Sequence, residues 1–481
     1  MFPCAIMELS VADWEYVGEG RLHVVVRYVG PDDAAGNFRG KVLRLRKGND
    51  NAEPLGGGSE YEAADDAVGR IWRAFFGSPV VIEKHRIPLD EAFLRELSCR
   101  IASCRPDRRR HVGVDTRASH GHVLDDATKL LNSTIYVDVV TIELKVKCGL
   151  KSSSPFTPDS RAIKRKLGRY QIIQLDKLAR YQKRVGAAPS LAMDDDACAS
   201  ASCPWSETDA FSRYDPCHLC SGDKMLIKNA LHALMASPQN NLTISRNGRK
   251  CQDLAATCWD VDLLIDAICT VLSTNSVLQR LQVLQSFDFV DVEGAFLIFQ
   301  RLECELGSRQ AAEQAILESF QQFDYAAQNR LIGLLHAAAT GAQTVTALPD
   351  GAKLSPMEYL FYLRISETST GQDMDEKRQR AMLFLDGCSA QDCLVVLQFW
   401  LLALSAKDAS LMVSFSQQEP AFLLVPGTRQ GTIPLAGQQL FYSLGLVDMG
   451  LKDPNKCWKK GQDEEALIQS IGNWDPNKVL I

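Results

Sequence analysis

The chain has 481 residues, of which 46% are apolar and 23% charged, and its net charge at pH 7 is -6. This length exceeds one simple core and predicts two or three packed lobes, and the composition is ordinary for a folded soluble protein. The acidic balance argues against general nucleic-acid binding, and no apolar run approaches the roughly 20 residues that span a bilayer.

The N-terminal part of the chain has the patterns of β-strands. WEYVGEGRLHVVVRYVG and GKVLRLRKG alternate or run apolar around a turn rich in Gly and Asp, which predicts a hairpin or meander. Residues 48–66 are polar and rich in Gly and predict a loop, and helical spacing follows in AVGRIWRAFFG and DEAFLRELSCRIASC. TIYVDVVTIELKVKCG has the clearest strand pattern of the chain, because it is rich in β-branched residues that alternate with polar ones.

The C-terminal part has mostly helical patterns. Residues 186–212 are rich in Ala, Ser and Asp and predict a mobile insertion, and helical spacing dominates from about residue 224 to residue 410. QLFYSLGLVDMGLK predicts a strand that leads into a loop. We therefore predict an α+β fold with a strand-rich N-terminal lobe, residues 1–155, a larger helical C-terminal lobe, residues 156–481, and a cleft between them.

Two basic clusters stand out against the acidic average. Nine Lys or Arg face a single acid in residues 161–184, and RPDRRR occupies residues 105–110. Basic clusters on an acidic protein point to a small polyanion that is held in one place. The alternative is a solvated helix face without a ligand.

The strand predicted for residues 142–148 is the most informative segment. Glu143, Lys145 and Lys147 share one face of such a strand, and the apolar residues between them share the other. Lysines two positions apart on a strand can meet two phosphates at once. The alternative is an edge strand that its lysines protect from aggregation.

The segment ELKVKCG resembles the E-x-K-P-K-C-G signature of the inositol-pentakisphosphate 2-kinases, with Val146 in place of the proline. DWEYVGEG resembles the nucleotide loop of this family, and VLRLRK resembles the strand that supplies an arginine to ATP. Further blocks follow in the order of the family: SRYDPCHLCSGDKMLIKNALHALMASPQNN, FVDVEG, SAKDASLMVSF and GLVDMGLKDPNK. The resemblance implies a two-lobed kinase-like fold with the active site in the cleft. It also implies an enzyme that uses ATP to phosphorylate the 2-hydroxyl of inositol pentakisphosphate, giving inositol hexakisphosphate (phytate).

The resemblance implies a nucleotide site built on the first block. Its glycines would let the backbone approach the ATP phosphates closely. The family commonly has Asn at the position of His23. The residues that the resemblance assigns to ATP are Gly18, Gly20, His23, Arg44, Asp126, Glu143 and Lys145.

The resemblance also implies a strongly basic substrate site. Five phosphates carry roughly -7 to -10 charges at pH 7, so we expect about six cations around them. The family has a His at the position of Ile173 and a basic residue at that of Thr243, whose contact Arg246 could replace. The residues assigned to the substrate are Arg109, Lys147, Lys177, Asn240, Asn241, Lys452 and Lys456.

Two acids would carry the chemistry. Asp408 in AKDAS is predicted to be the general base, because phosphoryl transfer needs a carboxylate within hydrogen-bond reach of the attacking hydroxyl. Asp448 is predicted to hold Mg²⁺ against the ATP phosphates. The second acid of the family block is replaced here by Gly450.

The 15 cysteines follow no disulfide-like rhythm, and we expect reduced thiols in a cytoplasmic or nuclear protein. One quartet, C-x4-C-x13-C-x2-C, has a spacing that could bind zinc. Two of its members replace apolar residues of a family block, where packing explains them, so we expect no structural zinc. The quartet consists of Cys198, Cys203, Cys217 and Cys220.

Two alternatives to the enzyme remain at this stage. The first is a catalytically weak inositol-polyphosphate-binding module of the same fold, since several family positions differ. The second is a nucleic-acid-binding protein that uses residues 161–184, which lack interleaved aromatics for base stacking. Asp408 and Asp448 are both kept, which favours the kinase. We expect a monomer that binds ATP and the inositol phosphate, and neither nucleic acid nor a membrane.

Overall fold

The structure, a computed structural model, describes residues 9–20, 22–31, 38–48, 59–77, 80–130, 138–186, 211–251, 259–322, 374–417 and 430–471. Most of the predicted 186–212 insertion lies outside the described residues. The chain is α+β, as predicted, and divides into two compact units. The first unit comprises Met1–Leu144, Thr243–Leu264 and Leu411–Val447. The second comprises Lys145–Leu242, Ile265–Ser410 and Asp448–Ile481, so the division differs from the predicted single boundary after residue 155.

The first unit opens with a six-stranded sheet, in the order β1-β2-β3-β6-β4 with β5 paired to β3. The pairings of β1 with β2 and of β2 with β3 are antiparallel, which confirms the predicted meander. The strands are β1 (Trp14–Glu19), β2 (His23–Tyr28), β3 (Lys41–Gly48), β4 (His85–Pro88), β5 (Gly113–Val114) and β6 (His120–Asp125).

Two helices accompany this sheet. Helix α1 (Ser59–Phe76) begins inside the predicted 48–66 loop, so that prediction is wrong from Ser59 onward. The acids Glu60 and Glu62 occupy its first turn, where they complement the helix dipole. Helix α2 (Glu91–Ile101) packs its buried leucines into the same core cluster as Trp14 and the inward residues of β2 and β3.

A second six-stranded sheet, in the order β11-β12-β10-β7-β8-β9, belongs almost entirely to the first unit. The prediction of a strand that leads into a loop near residue 447 is confirmed by β12. The strand predicted for residues 142–148 ends at Lys145, three residues early. The strands are β7 (Val140–Lys145), β8 (Leu242–Arg246), β9 (Arg249–Lys250), β10 (Ser410–Ser416), β11 (Gln430–Leu435) and β12 (Gln438–Val447).

The second unit is mainly helical. Its central helix, Ala390–Lys407, begins with a capping box between Ser389 and Asp392 and is buried along most of its length. This helix is apolar enough to cross a membrane by composition alone, and its burial is that of a core helix. The helices after α2 are α3 (Ile163–Lys166), α4 (Arg169–Gly186), α5 (Pro216–Leu219), α6 (Lys224–Ala236), α7 (Val261–Thr274), α8 (Val277–Gln285), α9 (Asp291–Leu306), α10 (Arg309–Ser319), α11 (Met374–Gly387), α12 (Ala390–Lys407) and α13 (Lys456–Ile471). Helix α9 packs against both α12 and α13, and so holds these two helices in position relative to each other.

Candidate functional site

The predicted general base, Asp408, lies at the C-cap of α12 in the second unit. Its side chain is 47% exposed, and its Oδ2 is 3.1 Å from Nζ of Lys452. Partial burial by itself would raise the pKa of Asp408, but the charges of Lys452, Lys460 and Lys456 outweigh it and hold the pKa below its ordinary value. The carboxylate is therefore ionised at neutral pH and accessible, as a proton acceptor must be.

Lys147 lies beside this carboxylate with an unusual backbone conformation. Its φ is 63°, in the left-handed region that non-glycine residues rarely adopt. Burial lowers the pKa of Lys147, and the ammonium groups of Lys145, Lys177 and Lys452 lower it further, whereas Asp408 raises it. The structure thus brings Lys147 into the field of the base and of three other lysines.

The burial of residues 142–147 follows the predicted alternation, although the strand stops at Lys145. Val146 is fully buried, and its backbone oxygen accepts a hydrogen bond from the Tyr214 hydroxyl at 2.8 Å. Its backbone nitrogen donates to the oxygen of Ala409 at 3.4 Å, directly after the base. The apolar side of this segment therefore anchors Lys147 next to Asp408.

Three lysines at intervals of four residues surround the base from the C-terminal segment. Lys452 precedes α13, Lys456 begins it, and Lys460 lies one turn further. Burial and the charges of Arg169, Lys407 and Lys456 lower the pKa of Lys460 to about 7. Lys460 was not among the predicted site residues, although its spacing from Lys456 repeats that of Lys456 from Lys452.

The predicted asparagine pair is divided by the structure. Asn240 is exposed, while Asn241 is buried and donates from Nδ2 to the Tyr170 hydroxyl at 2.8 Å. Lys177 donates to Oε1 of the neighbouring Gln239 at 2.8 Å, and Gln239 also has a positive φ of 45°. Asn240 and Lys177 are thus placed to meet a ligand, whereas Asn241 supports the turn from inside.

The basic stretch at residues 161–184 turns out to be partly structural. Nζ of the buried Lys164 lies 2.8 Å from Asp291, 2.8 Å from Glu293 and 3.0 Å from Glu464. Arg169 also pairs with Glu464. These cations are neutralised by acids of α9 and α13, so they join the four helices α3, α4, α9 and α13 rather than hold a polyanion.

A pocket in the second unit lies against this network. Its walls include Cys148, Lys164, Asp291 and Lys407, and Lys407 forms an ion pair with Asp288. Because Lys164 and Lys407 are paired with carboxylates, they contribute little net positive charge to this pocket.

In the first unit, the predicted nucleotide residues Gly18, His23 and Arg44 lie on the neighbouring strands β1, β2 and β3. A Cβ atom added to Gly18 or Gly20 would meet nothing within 4 Å, so the space above this backbone is open to a ligand. His23 begins β2, and its Nδ1 lies 2.9 Å from Nη2 of Arg44 on β3. Burial and the charge of Arg44 lower the pKa of His23 to about 2, so the ring is neutral and leaves the arginine charge intact.

Glu19, between the two glycines, was not predicted as a site residue. Its buried carboxylate accepts two hydrogen bonds from Arg105, at 2.9 and 2.8 Å, and one from Lys47. Burial alone would raise the pKa of Glu19, but Arg105 and Lys47 lower it to about 2. Arg109 donates from Nη1 to the backbone oxygen of Glu19, so the predicted substrate arginine contacts the predicted nucleotide loop.

The remaining predicted nucleotide residues differ in how accessible they are. Asp126 is buried, pairs with Arg27 and accepts from the nitrogen and hydroxyl of Thr128 at 3.0 and 2.6 Å. Its carboxylate is therefore held at the end of β6 by these partners, and its role at the nucleotide stays a prediction. Glu143 and Lys145 are half-buried.

The predicted metal ligand Asp448 directly follows β12, is exposed, and has a φ of 61°. Within the described ranges, no group of three or more His, Cys, Asp or Glu could hold a metal ion. A single exposed carboxylate nevertheless fits Mg²⁺, which is held by one or two carboxylates together with waters and substrate phosphates. Of the cysteine quartet whose spacing could bind zinc, Cys217 and Cys220 are free thiols, and Cys198 and Cys203 lie outside the described residues.

An accessible carboxylate among lysines, together with a glycine loop beside an arginine, is the equipment of a kinase that acts on a phosphorylated small molecule. The family model described as inositol-pentakisphosphate 2-kinase matches residues 16–465. The chain therefore belongs to the inositol-pentakisphosphate 2-kinase family.

Named relatives agree with this assignment. The inositol-pentakisphosphate 2-kinase of Arabidopsis thaliana is 23% identical over 98% of each chain. That of Oryza sativa subsp. indica is 22% identical over 61% of this chain and 70% of its own length. That of Danio rerio is 29% identical over 53% of this chain and 47% of its own length.

Proposed function

We propose that this protein transfers the γ-phosphoryl group of ATP to the 2-hydroxyl of inositol pentakisphosphate, giving inositol hexakisphosphate and ADP. The observation that carries the proposal is the accessible carboxylate of Asp408 within a cluster of lysines in the second unit. The family and the names of the relatives support the same reaction.

The lysine cluster matches the charge of the substrate. Five phosphates carry roughly -7 to -10 charges at neutral pH. Lysines on separate elements can contact phosphates at different positions of the inositol ring. A mono- or bisphosphate carries fewer negative charges than this cluster has ammonium groups. The lysines of the second unit that we assign to the substrate are Lys147, Lys177, Lys452, Lys456 and Lys460.

The proton transfer follows from the electrostatics of Asp408. In the ligand-free protein, lysines hold its pKa low, which makes the carboxylate a weak base. Bound phosphates would neutralise these lysines and add negative charge, both of which raise the pKa of Asp408 toward the working pH. Asp408 would then accept the proton of the 2-hydroxyl as that oxygen bonds to the γ-phosphorus and ADP departs.

Residues of the first unit would hold ATP. Gly18 and Gly20 offer open backbone to the phosphates, and Arg44 supplies a charge that the neutral His23 orients. Mg²⁺, held through Asp448, would neutralise charge on the ATP phosphates. Most of the residues that we assign to the inositol phosphate, and the base itself, lie in the second unit.

The test is direct. The purified protein is incubated with ATP, Mg²⁺ and inositol pentakisphosphate isomers that differ in the free hydroxyl, and products are separated by anion exchange. We expect hexakisphosphate from the isomer whose 2-hydroxyl is free. Failure to form it, or equal turnover of inositol mono- and bisphosphates, would contradict the proposal, since those substrates cannot use the lysine cluster.

A further inference from the structure

We propose that Gln285 is a positioning residue for phosphoryl transfer, because its buried amide fixes the backbone of Lys147 relative to the segment that leads into Asp408. This inference rests on the proposed function, which gives Lys147 and Asp408 their roles. Gln285 contacts neither substrate nor nucleotide in this scheme and acts through the backbone of the two segments.

Three hydrogen bonds define the arrangement. Gln285 is the last residue of α8 and is 1% exposed. Its Oε1 accepts from the backbone nitrogen of Gly149 at 2.8 Å. Its Nε2 donates to the backbone oxygen of Lys147 at 2.7 Å and to that of Ala406, two residues before Asp408, at 3.3 Å.

The chemistry of the partners fixes the orientation of this amide. A backbone N–H can only donate and a backbone carbonyl can only accept. With the amide reversed, Nε2 would face the N–H of Gly149 and Oε1 would face the two carbonyl oxygens. The amide of Gln285 therefore satisfies the backbone hydrogen-bonding groups of both segments in only one of its two orientations.

The segment held by Gln285 is one that needs support. Lys147 has a φ of 63°, and such a backbone conformation persists in a non-glycine residue only when its surroundings over-determine it. Gln285 holds the carbonyl of Lys147 and the nitrogen of Gly149, on both sides of Cys148. The same amide nitrogen reaches Ala406 on α12, so the position of the Lys147 ammonium and that of the Asp408 carboxylate share one support.

A purely structural reading is that Gln285 only satisfies buried backbone groups, as most buried amides do. Two other glutamines serve as controls that distinguish this structural role from a positioning role. Gln398 is also buried, at 4% exposure, and donates to Ser319 Oγ at 2.8 Å. Gln282 donates to the oxygen of Gly149 at 2.9 Å, one turn before Gln285 on the same helix.

The experiment compares Gln285→Met with Gln398→Met and Gln282→Met in the full chain. Hydrogen exchange measured by mass spectrometry reports on residues 146–149, and steady-state kinetics reports on the reaction. For Gln285→Met we expect faster exchange in this segment and a loss of about 10- to 100-fold in kcat/KM for inositol pentakisphosphate, the size expected when reacting groups are misplaced. The KM for ATP should stay within about twofold, since these bonds do not involve the nucleotide residues.

The two controls should behave differently. Gln398→Met should lower thermal stability as much as Gln285→Met, while the exchange of residues 146–149 and the kinetic constants stay near wild type. Gln282→Met should loosen Gly149 and leave kcat within about threefold, because it holds neither Lys147 nor Ala406. Equal kinetic losses in Gln398→Met and Gln285→Met would overturn the inference, and so would unchanged exchange in Gln285→Met.

The failure of the inference differs from the failure of the proposed function. If the wild type forms no hexakisphosphate, the proposed function fails, and the exchange data together with calorimetric binding of inositol hexakisphosphate decide on Gln285. Faster exchange with weakened binding in Gln285→Met would support its positioning role. Faster exchange with unchanged binding would overturn it.

Discussion

The replacement Lys147→Asn tests whether the ammonium group of Lys147 contacts a phosphate of the substrate. Asn tolerates the left-handed backbone that Lys147 adopts, so the change removes the ammonium group without forcing the chain to rearrange. A charge-assisted contact with a phosphate contributes about 1.5–3 kcal/mol. We therefore expect the KM for inositol pentakisphosphate to rise by roughly 10- to 150-fold, while the KM for ATP changes little.

Two further variants separate charge from backbone effects. Lys147→Gly also removes the ammonium group and relieves the left-handed strain, so it should match Lys147→Asn in KM and exceed it in thermal stability. Val146→Ala leaves the charge in place and empties part of a fully buried site, which should cost about 1–3 kcal/mol of stability with KM unchanged. Steady-state kinetics and melting curves for the three variants are the measurements. An unchanged KM in Lys147→Asn, or an equal rise in Val146→Ala, would refute the reasoning.

Three other predictions follow from the same structure. Asp448→Asn should shift the Mg²⁺ dependence of turnover to higher concentration, with partial recovery at excess Mg²⁺, and an unchanged Mg²⁺ titration would remove Asp448 from the metal site. The pKa of Lys460 is lowered to about 7, so this side chain loses its charge as the pH rises. Between about pH 6 and pH 8, the affinity for inositol hexakisphosphate should therefore fall more in the wild type than in Lys460→Met. Parallel pH curves from calorimetry would contradict this. Glu19→Gln should destabilise the protein by about 3–5 kcal/mol at neutral pH, because Arg105 and Lys47 lose a buried partner. The pKa of Glu19 is lowered to about 2, so the difference in unfolding free energy between wild type and Glu19→Gln should shrink as the pH falls through about 4 toward 2. Urea unfolding measures this difference, and a pH-independent value would contradict the prediction.

The strands of the first sheet were predictable because one of their faces is buried and the other is not, which produces alternation. No strand was predicted for β10, whose residues are all buried, including three serines, so neither of its faces is marked by exposure. The division into units was also beyond the sequence pattern. The second sheet joins strands from residues 140–145, 242–250 and 410–447, and only tertiary pairing brings them together.

The site residues show the same limit. Asp408 and Lys452 were found from family blocks and spacing, and the structure places their charged groups 3.1 Å apart. The resemblance also assigned Asp126 and Asn241, yet both are buried and bound to partners distant in the sequence, Arg27 and Tyr170. A local sequence pattern predicts which face of a helix or strand a residue occupies. Whether a distant part of the chain then buries that residue depends on the complete fold.

The lysine cluster could be predicted in part. The resemblance assigned Lys452 and Lys456 to the substrate, and their four-residue spacing continues one turn further to Lys460. The pairing of Lys164 with three acids could not be anticipated, because two of them lie on α9 and one on α13. Basic residues of similar appearance in the sequence thus divide into proposed ligands for a polyanion and structural ion pairs.

The central claim is that Asp408 activates the hydroxyl while the lysines around it hold the phosphates. The most direct test measures Asp408→Asn in two ways, by single-turnover formation of hexakisphosphate and by calorimetric affinity for inositol pentakisphosphate without ATP. We predict that turnover falls by about 100-fold or more, as expected for the loss of a general base. The affinity should be equal or higher, because a negative charge has been removed from among the lysines. Turnover within about tenfold of wild type, or clearly weaker binding of the inositol phosphate, would contradict the account.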